Sequence, residues 1–110
     1  MRHPSADVAR YLLPAVNALI ARELVEKYGL KRSEAAKVME VTPAAVTQYL
    51  KLSRGGKIVE QLEGSEKIMR IIFSLARRMR TGKVNSEGFN LAIRRVCREA
   101  RTLGIIPCQP

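Results

Sequence analysis

The chain has no tryptophan and few aromatics of any kind: three tyrosines and two phenylalanines. A core without large rings must be aliphatic, built from Leu, Ile, Val, Ala and Met. That composition favours packed helices over a sheet, which draws on aromatic and β-branched residues. Cysteine is almost as scarce. Cys97 and Cys108 are too few to staple a secreted scaffold. Only one histidine is present, His3. With two thiols it falls short of the four N/S ligands of a structural metal centre within one chain. No metal and no cofactor is therefore expected. No run of 18 apolar residues occurs, so no membrane-spanning helix is expected. The start, MRHPSADVARYLLPAV, carries Asp7 and Arg10 where a signal peptide needs an apolar stretch. A cytoplasmic, nucleoid-associated location is expected.

Acidic residues are also in short supply. Ten Asp and Glu face twenty Lys and Arg, for a formal net charge of +10. Such an excess suits a polyanion, nucleic acid before an anionic membrane. The charge is uneven: residues 65–101 hold ten basic and three acidic side chains. Against this stands the bland alternative of a solvated basic surface.

What the chain has in quantity is helical periodicity. Leu12, Leu13, Val16, Leu19, Ile20, Leu24, Val25 and Tyr28 lie on one wide stripe, with Gly29 as the stop. Pro14 either opens this helix or kinks one that began after Ser5; the favoured reading is a short helix over 6–12 followed by a long one over 14–28. Ser33 is the expected cap of a helix over 34–39. Thr42-Pro43 is the expected start of another, ending near Leu52 or Ser53. Residues 57–64 are expected to be a linker with at most one helical turn. Ser65 and Ser86 are the expected caps of two further helices, closed by Gly82 and Gly104. The fold class is all-α, with five or six helices. The expected organisation is residues 1–57 as a DNA-binding region and 58–110 as a C-terminal helical pair for dimerisation, within one compact unit.

Two short helices, SEAAKVM and PAAVTQYLKL, are separated by Glu40, Val41 and Thr42. That spacing fits a helix-turn-helix unit. Ala36 is small enough for a steep crossing, Val41 can fill the turn, and Val46, Tyr49 and Leu50 can face inward. The helical period then turns Ala44, Gln48 and Lys51 outward, with Thr47 on the flank. A slim helix of this kind fits the major groove. Gln48 can pair with adenine, Lys51 can reach guanine or a phosphate, and alanine methyls can meet a thymine methyl. Thr42 and the free amides of the helix start can hold a phosphate.

The run LKRSEAAKVMEVTPAAVTQYLKLSRGGK resembles the helix-turn-helix of phage repressors and Cro-like regulators, the lambda-repressor-like fold. The longer stretch from Leu12 to Lys51 is similar to a group of small archaeal predicted transcriptional regulators. The resemblance covers about residues 12–57. It implies that residues 33–39 cross the DNA backbone and that residues 43–52 form the recognition helix. Its contacts would fall on Pro43, Ala44, Thr47, Gln48 and Lys51. Arg54 and Lys57 extend that DNA-binding set. The sequence departs from the family at Glu40, where glycine often stands in a left-handed turn. A non-glycine residue there costs roughly 1–2 kcal/mol.

Lys67, Arg70, Arg77 and Arg80 share one face of the Ser65 helix, and Arg94, Arg98 and Arg101 one face of the last. Lys37, Arg77, Arg78 and Arg80 are candidates for further phosphate contacts. Two half-sites on duplex DNA call for a two-fold protein, so a homodimer is expected. No acid–base pair and no nucleophile with its base is discernible, so an enzyme is not expected. The alternatives are a basic RNA- or ribosome-associated protein and an antitoxin- or adaptor-type interaction module. A disulfide or pooled metal site at Cys97 and Cys108 is a minor reading beside that of buried hydrophobes.

Overall fold

The computed structural model describes residues 8–106. Among them are six α-helices and no strand: α1 (Leu13–Arg22), α2 (Arg32–Met39), α3 (Pro43–Leu52), α4 (Lys57–Glu63), α5 (Glu66–Arg80) and α6 (Ser86–Thr102). The all-α expectation holds for these residues.

Wide π-type turns flank α1 on both sides, Val8–Leu12 before it and Glu23–Lys27 after it. The expected break at Pro14 is therefore corrected. Leu12 keeps helical dihedrals, φ −74° and ψ −48°, and the helical path continues through the proline. Proline lacks the donor for an ordinary α-helical bond. The wider turn precedes the proline, and no break follows it.

Ala15, Val16, Ala18, Leu19, Ile20 and Ala21 are all buried, so α1 is covered on nearly every side. It is the spine of the fold, and α3, α4 and α5 pack on it, α3 most extensively. Alanines on a helix surface let neighbours approach closely. One continuous aliphatic core runs from Leu12 to Ile106. The path ends at Gly29, φ 71°, where Leu30 N donates to Leu24 O at 3.0 Å. This is a Schellman-type stop.

Three local expectations are corrected. Ser33 does not cap α2: the helix begins at Arg32 with Lys31 at the cap position. Glu34 reaches back to accept from the Lys31 amide at 2.8 Å. That is half of a capping box, since an ammonium group has no lone pair to offer. Ser86 likewise lies inside α6, and Asn85 is the cap, its Oδ1 accepting from Gly88 N at 2.8 Å. Residues 57–63 form a two-turn helix, not a linker, with Val59 and Leu62 buried. The Ser65 cap is as expected, accepting from Ile68 N at 3.2 Å.

Candidate nucleic-acid interface

Helices α2 and α3 are joined by a tight turn. Glu40 sits in the left-handed region, φ 59° and ψ 43°, as the expected turn requires of that position. Val41 N then donates to Ala36 O at 2.9 Å, closing the end of α2. Ala35 and Ala36 are buried, and α2 lies against α3 and α5. Thr42 is extended and caps α3, its Oγ1 accepting from Ala45 N at 3.0 Å. Pro43 occupies the first helical turn, where its missing donor costs nothing.

The inner side of α3 is fixed by packing. Val46 and Leu50 are buried and Tyr49 is half-buried. Asn17 Nδ2 lies 3.5 Å from the Tyr49 hydroxyl, at the outer limit of a hydrogen bond. At the far end Ser53 is buried, its Oγ donating to Leu50 O at 2.7 Å. The Ser53 carbonyl accepts from Arg22 Nη1 at 3.2 Å. Gly56 allows the chain to turn here, since a Cβ on it would stand 2.9 Å from Leu52 Cδ1.

The outer side carries the predicted residues. Thr42, Pro43, Ala44, Gln48 and Lys51 are exposed, and Thr47 is half-buried with its hydroxyl donating to Pro43 O at 3.2 Å. Pro43, Ala44, Thr47, Gln48 and Lys51 are thus brought onto one face of one helix. Arg54 is exposed beyond the end of α3 and is ion-paired with Glu26. Lys57 is exposed at the start of α4, and Lys37 is exposed on α2.

Arg77, Arg78 and Arg80 are exposed on α5, a different element. α5 packs on α6, α1, α4 and α2, whereas α3 packs on α1 and α2. The arginines are therefore on a separate element that shares α1 and α2 with α3 as neighbours. Arg80 is also engaged, its guanidinium carbon 4.7 Å from the centre of the Tyr28 ring. On the same face Lys67 pairs with Glu99 at 3.4 Å and Arg70 with Glu66 at 3.4 Å.

Sequence reasoning missed Arg22, Glu26, Tyr28 and Phe73. The first two anchor the end of α3, and the last two gather cations around their rings. Their partners are distant in sequence, so no local pattern marks them. Lys27 and Glu23, 3.3 Å apart, are by contrast an i, i+4 pair on one stretch of helix.

Cys97 is buried on the apolar side of α6 with Ile93, Val96 and Ala100. Burial pushes its thiol above the ordinary value, opposed by the positive charge of Arg101. Cys108 and His3 lie outside the described residues. Among those described, no three metal-ligating side chains gather. No helix there is long and apolar enough to cross a membrane.

Fold and surface together define an all-α protein with a basic surface and one capped helix displaying a small, polar face. No protein-family model, curated protein or solved structure matches the chain.

Proposed function

We propose that the chain is a sequence-specific DNA-binding transcriptional regulator. In this reading α2 and α3 are a lambda-repressor-like helix-turn-helix, α3 enters the major groove, and the working species is a homodimer. One observation carries the reading. Helix α3 is buried on Val46 and Leu50 and exposed on Pro43, Ala44, Gln48 and Lys51. A left-handed residue at the turn before it and a threonine–proline start complete the pattern.

In the mechanism, the Ala44 amide and the Thr42 hydroxyl hold a phosphate, the Ala45 and Val46 amides being bonded to Thr42 already. Gln48 and Lys51 read base edges, and the small Ala44 lets the backbone come close. Lys37, Arg54 and Lys57 surround this face with positive charge, and the α5 arginines serve phosphates further out. Two subunits would place their α3 helices about 34 Å apart, one turn of duplex.

The test is selection of genomic fragments by the purified protein, followed by binding at salt from about 50 to 200 mM, the range over which phosphate contacts weaken strongly. A short inverted repeat that remains bound at physiological salt is the expected result. On that repeat Gln48→Ala should cost about 1–3 kcal/mol and relax preference at one base pair. Arg77→Ala should weaken every sequence alike and flatten the log–log salt slope by about 0.9. Equal losses for Gln48→Ala on all sequences would remove base reading from α3.

A further inference from the structure

Phe73 lies on α5 with 41% of its surface in solvent, although the helix has a buried apolar side available to it. It is not isolated. Lys27 Nζ stands 5.4 Å from the centre of its ring and 5.9 Å from that of Tyr28. Arg80 stacks over Tyr28 at 4.7 Å. The order in space is ring, cation, ring, cation, across the junction of the Glu23–Lys27 turn with α5. Arg70 and Arg77 flank Phe73 by helical spacing, and Arg77 has no ion-pair partner among the described residues.

We propose that this strip is a binding site for single-stranded nucleic acid, with an unpaired base stacked on Phe73 and its phosphates held by Arg77, Lys27 and Arg80. The chemistry follows from the alternation. An aromatic face attracts a base whatever its identity, and flanking cations attract the backbone that carries it. Cations already resting on rings are held in place for that purpose. Duplex DNA offers a base face only after unstacking, so stacking on an exposed ring favours unpaired strands. The acidic groups nearby, Glu23 and Glu66, are each paired to a lysine or arginine of the strip and leave it net positive. The site shares Arg77 and Arg80 with the duplex phosphate contacts proposed above, but its base platform, Phe73, is separate from α3 and stands whether or not α3 reads duplex DNA.

Because the chain has no tryptophan, Phe73→Trp places in the site a single tryptophan, which is excited selectively over the three tyrosines. Full-length Phe73→Trp is titrated with short oligothymidylate, oligouridylate and a blunt duplex of equal length. Saturable quenching by the single strands and not by the duplex is expected. In parallel, anisotropy of a labelled single strand is followed with Phe73→Leu, which keeps apolar bulk and removes the π face. A loss of about 5- to 150-fold is expected, the weight of one stacked base. Gln48→Ala should bind single strands as the parent does. Unchanged affinity in Phe73→Leu overturns the site, as does equal quenching by the duplex. Displacement of the strand by polyglutamate at equal charge concentration overturns it too, leaving a general anion surface. Phe73 is exposed, so the leucine variant tests the proposal even if tryptophan perturbs folding.

Discussion

Arg22 and Glu63 stand 2.5 Å apart, joining the end of α1 to the end of α4. The same guanidinium donates to the Ser53 carbonyl at the foot of α3. One side chain thus sets three elements against each other, and α3 is held at the end opposite its cap. Arg22 is partly shielded, with 25% of its side chain exposed. A charged donor to a backbone carbonyl is worth about 1.5–3 kcal/mol, and a half-exposed ion pair about 0–1. Arg22→Met keeps the stem and removes the donors. It should cost about 1–2 kcal/mol, and a domain of this size loses about 4–8 °C of Tm per kcal/mol. Glu63→Gln, which spares the Ser53 bond, should cost less. Equal Tm values for parent and Arg22→Met in thermal unfolding would show that apolar packing alone fixes α3.

Glu40 carries a left-handed backbone, φ 59°, that L-residues other than glycine adopt at a cost. Its side chain is exposed, so little packing is lost on its removal. Glu40→Gly should raise stability by up to about 1 kcal/mol, the relief of roughly 1–2 kcal/mol being partly offset by the greater freedom of unfolded glycine. Glu40→Val, β-branched at the same position, should destabilise. Denaturant unfolding of the pair measures both signs, and a gain for valine would contradict the left-handed assignment.

Much of this architecture was legible because its signals are local. Gly29, Gly82 and Gly104 all adopt positive φ at helix ends, and Thr42-Pro43 marks the start of α3 to the residue. Val46 and Leu50 follow from helical period alone. The misses arise where neighbouring residues compete or where packing decides. Asn85 and Ser86 are both good caps, and the chain uses the first. Helix α4 has two buried residues between two glycines, too short a pattern to distinguish from a turn, and it is stabilised by burial of Val59 and Leu62 in the core. The α3 face was legible as a candidate surface because one helix carries all of it. The Tyr28–Phe73 strip was not, since it exists only after α5 meets the end of the first helical stretch.

The Thr42 hydroxyl accepts from Ala45 N and so satisfies one free donor of α3. Thr42→Ala should cost about 0.5–2 kcal/mol of stability, whereas Thr42→Ser should cost little. If the hydroxyl also meets a phosphate, Thr42→Ala should weaken duplex binding beyond what partial unfolding explains, and Thr42→Ser should restore it. Binding measured well below the Tm of each variant separates the two effects. Full affinity in folded Thr42→Ala would confine the residue to capping.

Cys97 offers a prediction with a defined sign. Its folded pKa is raised, chiefly because burial disfavours the thiolate. The folded state therefore holds the proton more tightly than the unfolded chain. The resulting stability is fully present below the ordinary thiol pKa of 9.0 and is lost as pH rises through the higher folded value. In a Cys108→Ser background, stability should fall more steeply from about pH 8 to pH 10 than in the further variant Cys97→Ala. The comparison cancels the tyrosines and lysines that titrate in the same range. Alkylation gives an independent readout: the native Cys97 thiol should react far more slowly than in denaturant. Parallel pH curves with and without Cys97, together with fast native labelling, would mean that the thiol is solvated and that α6 does not seal this side of the core.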